Sequence, residues 1–408
     1  MNCRFCQNKL THQFVDLGFS PPSNSFLKPE QLNQPETFYP LRIMVCEKCY
    51  LVQIDEFASH EDIFNSDYVY FSSFSTSWLE HAQKYTEIMI ERFKFDDKSQ
   101  VIEIASNDGY LLQYFKKKGI SVLGIEPTSN TAAAAKEKGI DTIIDFFGVR
   151  LATILSEQGT KADLLLGNNV LAHVPDIRDF VGGLKILLNS NGIITFEFPH
   201  LMQMIDKNQF DTIYHEHFSY LSLTTVRQIF NEFGLDIFDV EELPTHGGSL
   251  RIFGKHIENI SIPNSDSVMA MLEMENQFGL TKTKTYQNYQ EASEKVKNDF
   301  LLFLLNAKNH GKKVVAYGAA AKGVTLLNFC GVRKDLIHFV VDASPHKQSK
   351  FLPGIHIPVV KEDEIRKNKP DYVIILPWNL KDEISTQLNY VRSWDAKFVV
   401  AIPTIEVF

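Results

Sequence analysis

With 408 residues, 44% hydrophobic and 22% charged, the chain is long enough for two or three globular domains and too apolar to be disordered. Its formal net charge of −9 disfavours a general nucleic-acid or anionic-membrane surface, while leaving room for one local basic pocket that takes a diphosphate. No apolar run reaches membrane-spanning length and the opening MNCRFCQNKL has no signal core, so a cytoplasmic chain is expected, with no nucleic-acid and no membrane partner and its oligomeric state unknown.

Four of the five cysteines fall in two C-x-x-C pairs, Cys3-Arg-Phe-Cys6 and Cys46-Glu-Lys-Cys49. In a reducing compartment such pairs bridge poorly as structural disulfides, and their thiolates suit the corners of a tetrahedral Zn2+. Residues 7–45 separate the pairs, more than a compact zinc ribbon needs, so an insertion punctuated by Pro21, Pro22, Pro29, Pro35 and Pro40 lies between them. No thioredoxin-like strand and helix surround either pair, which disfavours a redox dithiol. Structural zinc on Cys3, Cys6, Cys46 and Cys49 is expected, in a unit with short strands near Arg42–Val45 and Leu51–Ile54 that is too small to stand on its own core. Cys330 reads as a small buried residue.

An aromatic, hydroxyl-rich link, Asp67–Ser77, leads into a predicted helix over Thr76–Phe93 and suits either packing or a lid. Gln100–Gly109 follows, an apolar strand running into the turn Asn107-Asp108-Gly109 and then a helix from Tyr110. The backbone N–H groups of such a turn hold an anionic group, here a carboxylate. Roughly twenty residues on, a second strand ends at Glu126, where α/β folds set an acid against a ribose diol. An ordinary doubly wound domain carries the same turn, so pattern alone leaves that reading open. Strand and helix alternate from Ser99 to about Gly254, with helices near Val149–Gln158 and Ile177–Leu188, which predicts a parallel, doubly wound sheet. Strands Asp236–Glu242 and Ser249–Phe253, joined by the turn Thr245–Gly248, are expected to run antiparallel at one edge.

Helical stretches at Val268–Gly279 and Ala292–His310 precede a second α/β unit with strands Lys313–Tyr317, Ile337–Val341, Tyr372–Leu376 and Phe398–Ile402. Gly318 and Gly323 have P-loop spacing, but Val324-Thr325 stand where Lys-Ser/Thr is required, so this is no ATPase signature. The small residues of that turn permit a phosphate to approach near Lys322, or merely let helix pack on strand. The fold class is therefore α/β: a small N-terminal zinc-binding domain (1–70), a central Rossmann-like domain (71–260) and a C-terminal second Rossmann-like domain (261–408).

Tyr214-His215-Glu216-His217 falls just beyond the carboxyl edge of the central sheet, where open α/β sheets bind substrates. Asn168-Asn169 end the strand DLLLG, and His173 follows Asn169 by about one helical turn. These residue types suit general-base work, because imidazole titrates near neutrality and tyrosine donates to a developing oxyanion. Two alternatives are that Tyr214 and one histidine are simply buried, or that His215 and His217 ligate a metal, for which a third ligand at helical spacing is missing.

Taken together these motifs resemble the sugar C-methyltransferases that add a branch methyl to nucleotide-linked keto-deoxysugars. The resemblance runs end to end through the two cysteine pairs, Glu103–Gly109, Asn169–His173, Tyr214–His217, Thr245–Arg251, Tyr317–Gly323 and Leu376–Asn379. It implies a central S-adenosylmethionine-binding domain and a C-terminal domain that helps hold the sugar nucleotide. It further implies His217 as general base, with Tyr214, Glu216, Asn169, His173 and Tyr68 around the sugar. The cofactor would then lie against Glu103, Ser106, Asn107, Asp108, Gly109, Glu126, Pro127, Phe146 and Asn168. For the substrate, His246, Arg251, Tyr317, Lys322, Trp378 and Asn379 are the candidates. The reaction implied is methylation of C3 of a 4-keto-deoxysugar nucleotide through an enolate, the alternatives being O- or N-methylation of a related sugar or a zinc-containing protein that binds a nucleotide without turnover. Three positions depart from the family pattern: Ala105 replaces a glycine before the turn, His200 a tyrosine, and Ser349 a glycine. His200 is expected to narrow the methionine site and Ser349 to alter which sugar fits.

Overall fold

Alternation of apolar side chains sets the central sheet. In the computed structural model, which describes residues 1–55 and 70–408, Leu164 and Leu166 face one side of the sheet and Leu165 the other, and Val101 and Ile102 alternate likewise. Both faces are covered, as the near-continuous apolar strands require. The seven strands run in the order Leu235–Leu243, Ser249–His256, Leu188–Pro199, Ala162–Asn168, Gln100–Ile104, Ser121–Ile125, Thr142–Ile143. The last five are parallel, and the two at the other edge run antiparallel as expected. The strand order reverses between Gln100–Ile104 and Ala162–Asn168, so the carboxyl ends of those strands open a crevice.

The helix Thr76–Phe93 has the bounds its pattern predicts, with Ser75 accepting a hydrogen bond from Trp78 N at its start. It covers one face of the sheet through Trp78, Ala82, Tyr85 and Met89.

The N-terminal sheet differs from its expectation. A long strand, His12–Ser20, opens it, pairing with Tyr39–Val45, which pairs with Val52–Ile54. The fourth strand is Ser219–Tyr220, from the stretch that follows the Tyr-His-Glu-His run. The expected weakness of a small core is met by sharing cores. Phe14, Val15, Leu41 and Ile43 belong to one apolar cluster with Val314, Ala316, Leu327 and Val340 of the C-terminal unit, while the cysteine pairs pack against the central sheet.

The C-terminal sheet has six strands in the order Val359–Val360, Val340–Val341, Val314–Tyr317, Tyr372–Ile375, Lys397–Val400, Glu406–Val407. All pair in parallel except the last. Buried Cys330 sits in the core shared with the N-terminal sheet. No helix among the described residues is long and apolar enough to cross a membrane.

Candidate active site

All three parts of the chain line one cavity of about 790 Å³, large for a ligand site, at the carboxyl ends of the central strands. The Tyr-His-Glu-His run enters it clamped at both ends. On one side Ile54 N donates to Phe218 O (3.2 Å) and Ser219–Tyr220 joins the N-terminal sheet. On the other, Thr325 Oγ1 donates to Ile213 O (2.8 Å) and Trp378 Nε1 to Asp211 Oδ2 (2.8 Å), both from the C-terminal unit.

Within the run, His217 Nδ1 lies 2.8 Å from Thr212 O. A carbonyl only accepts, so Nδ1 carries the proton and Nε2 keeps its lone pair. Burial holds the His217 pKa well below the ordinary imidazole value, helped by His173, His246 and the Lys322 ammonium. Its ring lies 4.0 Å from that of Tyr214 and 4.6 Å from that of His173. Burial pushes the Tyr214 phenol well up, keeping it a neutral donor, and lowers His173 to about 4. Glu216, pushed up to about 7 by burial, accepts from Asn24 Nδ2. His215 turns away to Pro40 O (3.2 Å), so the two histidines of the run do not converge on a metal.

Asn169 Nδ2 lies 2.9 Å from His246 Nε2, while its buried Oδ1 has no partner and is left as an acceptor in the cavity wall. Behind it, Glu197 receives His81 Nε2 (2.8 Å), Arg251 (2.9 Å) and Thr245 Oγ1 (2.7 Å). Arg251 is therefore spent on Glu197 rather than on the wall, and His81 and Thr245 line the cavity instead.

Beside the turn at the end of the strand Gln100–Ile104, Ala105, Asn107, Glu126, Pro127, Phe146 and Asn168 line the cavity. Glu103, Ser106, Asp108 and Gly109 lie beneath that wall, with Asp108 paired to Lys138 (3.3 Å) and Gly109 (φ +73) against Ala135 and Ile140. Glu126 fixes the turn, accepting Asn107 N on Oε2 and Thr128 N on Oε1, both at 2.9 Å. The end of the aromatic link closes over it, with Ser72 N donating to Asn107 Oδ1 (2.9 Å). Tyr68, in the same link, lies outside the described residues.

At the opposite end stand Ala320, Ala321, Lys322, Asn379 and Lys347. Lys322 Nζ donates to Asn379 Oδ1 (2.9 Å) and sits 4.6 Å from the Trp378 ring centroid. Burial lowers its pKa to about 8, and Asp211 opposes that fall. Tyr317 precedes the turn but is not part of the cavity lining, and its hydroxyl accepts from Gln387 Nε2 (2.9 Å), at the end of the helix Lys381–Gln387.

Two of the three departures from the family pattern have a simple backbone account. Ala105 (φ 56) and Ser349 (φ 63) both adopt the left-handed region that glycine reaches without strain. Ser349 is exposed and outside the cavity, and His200 is buried on Glu275 Oε1 (2.8 Å), so neither shapes the pocket wall as expected. Sequence reasoning missed Asn24, Trp78, His81, Asp211 and Lys347. Of these Asp211 lies behind the cavity lining, buried on Trp378 Nε1, and it alone offered a local signal, as an acid just ahead of the run.

The four thiols of Cys3, Cys6, Cys46 and Cys49 lie within 4.8 Å of one another, with Cys3–Cys49 and Cys6–Cys46 at 3.5 Å. A tetrahedron with Zn–S of about 2.3 Å needs S–S separations of about 3.8 Å, so the set fits Zn2+ and leaves no open position. Gln53 Nε2 donates to Cys3 Sγ (3.2 Å), the kind of outer contact that orients a ligand.

Three family models match consecutive parts of the chain: a zinc binding domain (residues 3–64), a methyltransferase domain (78–240) and a C-methyltransferase C-terminal domain (244–403). The C-methyltransferase NovU of Streptomyces niveus is 32% identical over 401 residues, covering 98% of this chain and 95% of that one. The chain belongs to the C-methyltransferase family. It is an S-adenosylmethionine-dependent C-methyltransferase that carries zinc. Among solved structures, the C-methyltransferase matches magnesium protoporphyrin IX methyltransferase of Synechocystis with bound S-adenosylmethionine (14% identity, 43% of this chain, 78% of that one, TM-score 0.33). An S-adenosylmethionine-dependent methyltransferase of Anabaena variabilis also matches (17%, 43%, 85%, TM-score 0.35).

The cavity of the C-methyltransferase suits its cofactor. Glu126 stands at the second strand end, and Phe146 offers an apolar face. Because Glu126 also holds Asn107 N, Glu126→Ala is expected to weaken S-adenosylmethionine binding by about tenfold or more. Calorimetry giving unchanged affinity would remove Glu126 from the site.

Proposed function

We propose that the enzyme methylates C3 of a nucleotide-linked 4-keto-deoxysugar through an enolate. The observation that carries this reading is the imidazole of His217, with Nδ1 pinned and Nε2 free, beside a neutral Tyr214 phenol in the cavity that also holds the cofactor turn. A carbon beside a ketone becomes nucleophilic only when it loses a proton. His217 Nε2 takes that proton, and Tyr214 donates to the oxygen that gains charge. When bound, S-adenosylmethionine would supply the electrophilic methyl for that carbon, its C–S bond breaking to leave the neutral thioether S-adenosylhomocysteine. Asn169, His173 and Glu216 surround the sugar, and the turn after Tyr317 with Lys322 and Asn379 takes the diphosphate. Two ammonium groups, Lys322 and Lys347, at one end of a chain with net charge −9 support an anionic substrate there.

The test is incubation with S-adenosylmethionine and a panel of 4-keto-deoxysugar nucleotides, with mass and NMR analysis of the product. A new carbon-bound methyl is expected. An O- or N-methyl product, or binding without turnover across the panel, would overturn the reading. Lys322→Ala is expected to raise KM for the sugar nucleotide about tenfold to hundredfold, with little change in affinity for S-adenosylmethionine. An unmoved KM would reduce Lys322 to a packing residue between Trp378 and Asn379.

A further inference from the structure

The insertion between the two cysteine pairs meets the catalytic run at His215, through Tyr39 and Pro40 O, and at Glu216, through Asn24. Asn24 lines the cavity, and its Nδ2 lies 2.7 Å from Glu216 Oε1 and 2.9 Å from Oε2. A carboxylate accepts only, so the amide nitrogen with its two hydrogens is the atom that faces it. Glu216 is 2% exposed, and a buried carboxylate with no donor would be strongly disfavoured.

Asn24 is held firmly. Ser25 N donates to Pro22 O (3.1 Å), Phe26 N donates to Asn24 O (3.0 Å), and Phe26 is buried in the core shared with the C-terminal unit. Leu27 and Phe351 exchange two backbone hydrogen bonds, of 3.0 and 2.8 Å. The insertion and the C-terminal unit thus place the amide together.

Resting on the reading of Tyr214–His217 as the catalytic run, we infer that Asn24 is a positioning residue for methyl transfer: it favours the carboxylate form of Glu216 and fixes both its oxygens at the cavity wall. An ionised Glu216 accepts a hydroxyl hydrogen from the sugar, whereas the protonated acid would offer a donor there and lose that orientation. The other charged or titratable groups facing Glu216 are the Lys347 ammonium, from the C-terminal unit, and the Tyr214 phenol. His173 reaches only the Glu216 backbone.

Asn24 donates to the charged form of Glu216. Its removal therefore raises the carboxyl pKa and moves ionisation to higher pH. Infrared difference spectroscopy of the zinc-loaded, substrate-free chain follows the carboxyl band, assigned by its loss in Glu216→Gln. The wild-type midpoint is expected near 7 and should rise by about one to two pH units in Asn24→Ala, the worth of a hydrogen bond to a charged group. The acid limb of kcat/KM, which reports the free enzyme, should rise with it, so that activity falls about tenfold or more at about pH 6 and approaches wild type at about pH 9. Where Asn24→Ala fails to fold, Asn24→Ser, which keeps one donor, should give an intermediate shift. An unmoved midpoint overturns the proposal, as does a midpoint that moves while the kcat/KM profile stays. Full turnover in His217→Asn would count instead against the catalytic run, and the infrared midpoint, which needs no substrate, tells the two failures apart.

Discussion

His217→Asn is expected to lower turnover by about 10²–10⁴-fold while leaving S-adenosylmethionine binding intact, the usual range for losing a positioned general base. Nδ1 is committed to Thr212 O at 2.8 Å, so the neutral ring presents Nε2 as its acceptor. Burial and three cationic or imidazole neighbours keep that ring unprotonated at neutral pH, so the base is available in the resting site. The sign follows directly. A pKa held well below the ordinary value places protonation of His217 at acid pH, so a limb near neutrality belongs to another group, and within the run that group is Glu216. The same shift makes folding less favourable below the ordinary imidazole pKa, where the unfolded chain takes up the proton more readily. Tyr214→Phe should cost less than His217→Asn, because it removes one donor to the enolate oxygen and leaves the proton acceptor in place. His173, 4.6 Å away and also held neutral, is the competing base. Solvent deuterium exchange separates them: with a cofactor analogue that cannot donate methyl, wild type should exchange the proton beside the ketone and His217→Asn should not. Exchange at the wild-type rate in that variant would transfer the base role to His173.

What could be read in the sequence was whatever local pattern decides. The period of the helix Thr76–Phe93, the apolar strands of the central sheet and the cysteine spacing are properties of short stretches, and the structure agrees with them. The strand-to-helix turn at Asn107–Gly109 was legible because one strand, its turn and the acid at the next strand end are held together by parallel pairing. Long-range convergence was not legible. Asn24 stands 192 residues from Glu216, and nothing in a proline-rich insertion announces a cavity residue. Arg251 and Tyr317 lie inside motifs that do line the cavity, but the sheet pleat turns their side chains to Glu197 and Gln387. The strand His12–Ser20 was missed because its two register shifts and an internal glycine break the period-two signal.

Cys46→Ser is expected to release zinc, to lower stability by on the order of several kcal/mol and to depress turnover more than it weakens cofactor binding. Zinc-finger peptides derive about 10–16 kcal/mol from their metal, but here the N-terminal sheet is also held by Phe14, Val15 and Ile43 in the core shared with the C-terminal unit, so the loss should be smaller. The catalytic consequence follows from Arg4, which sits between the ligands Cys3 and Cys6. Its guanidinium donates to Pro175 O (2.8 Å) and Ile54 O (2.6 Å), and its N–H to Gln53 Oε1 (2.9 Å). Pro175 follows His173 by two residues, and Ile54 accepts no slack because its N–H is bonded to Phe218 O, next to His217. A loosened knuckle therefore moves both histidines of the site, whereas Glu126 and Asn107 are bonded to each other and, among the described residues, not to the thiols. Metal analysis, a thermal scan and single-turnover rates on wild type and Cys46→Ser test this together. Full zinc content in the variant would remove Cys46 from the ligand set, and a zinc-free chain with wild-type stability and turnover would refute a structural role for the metal.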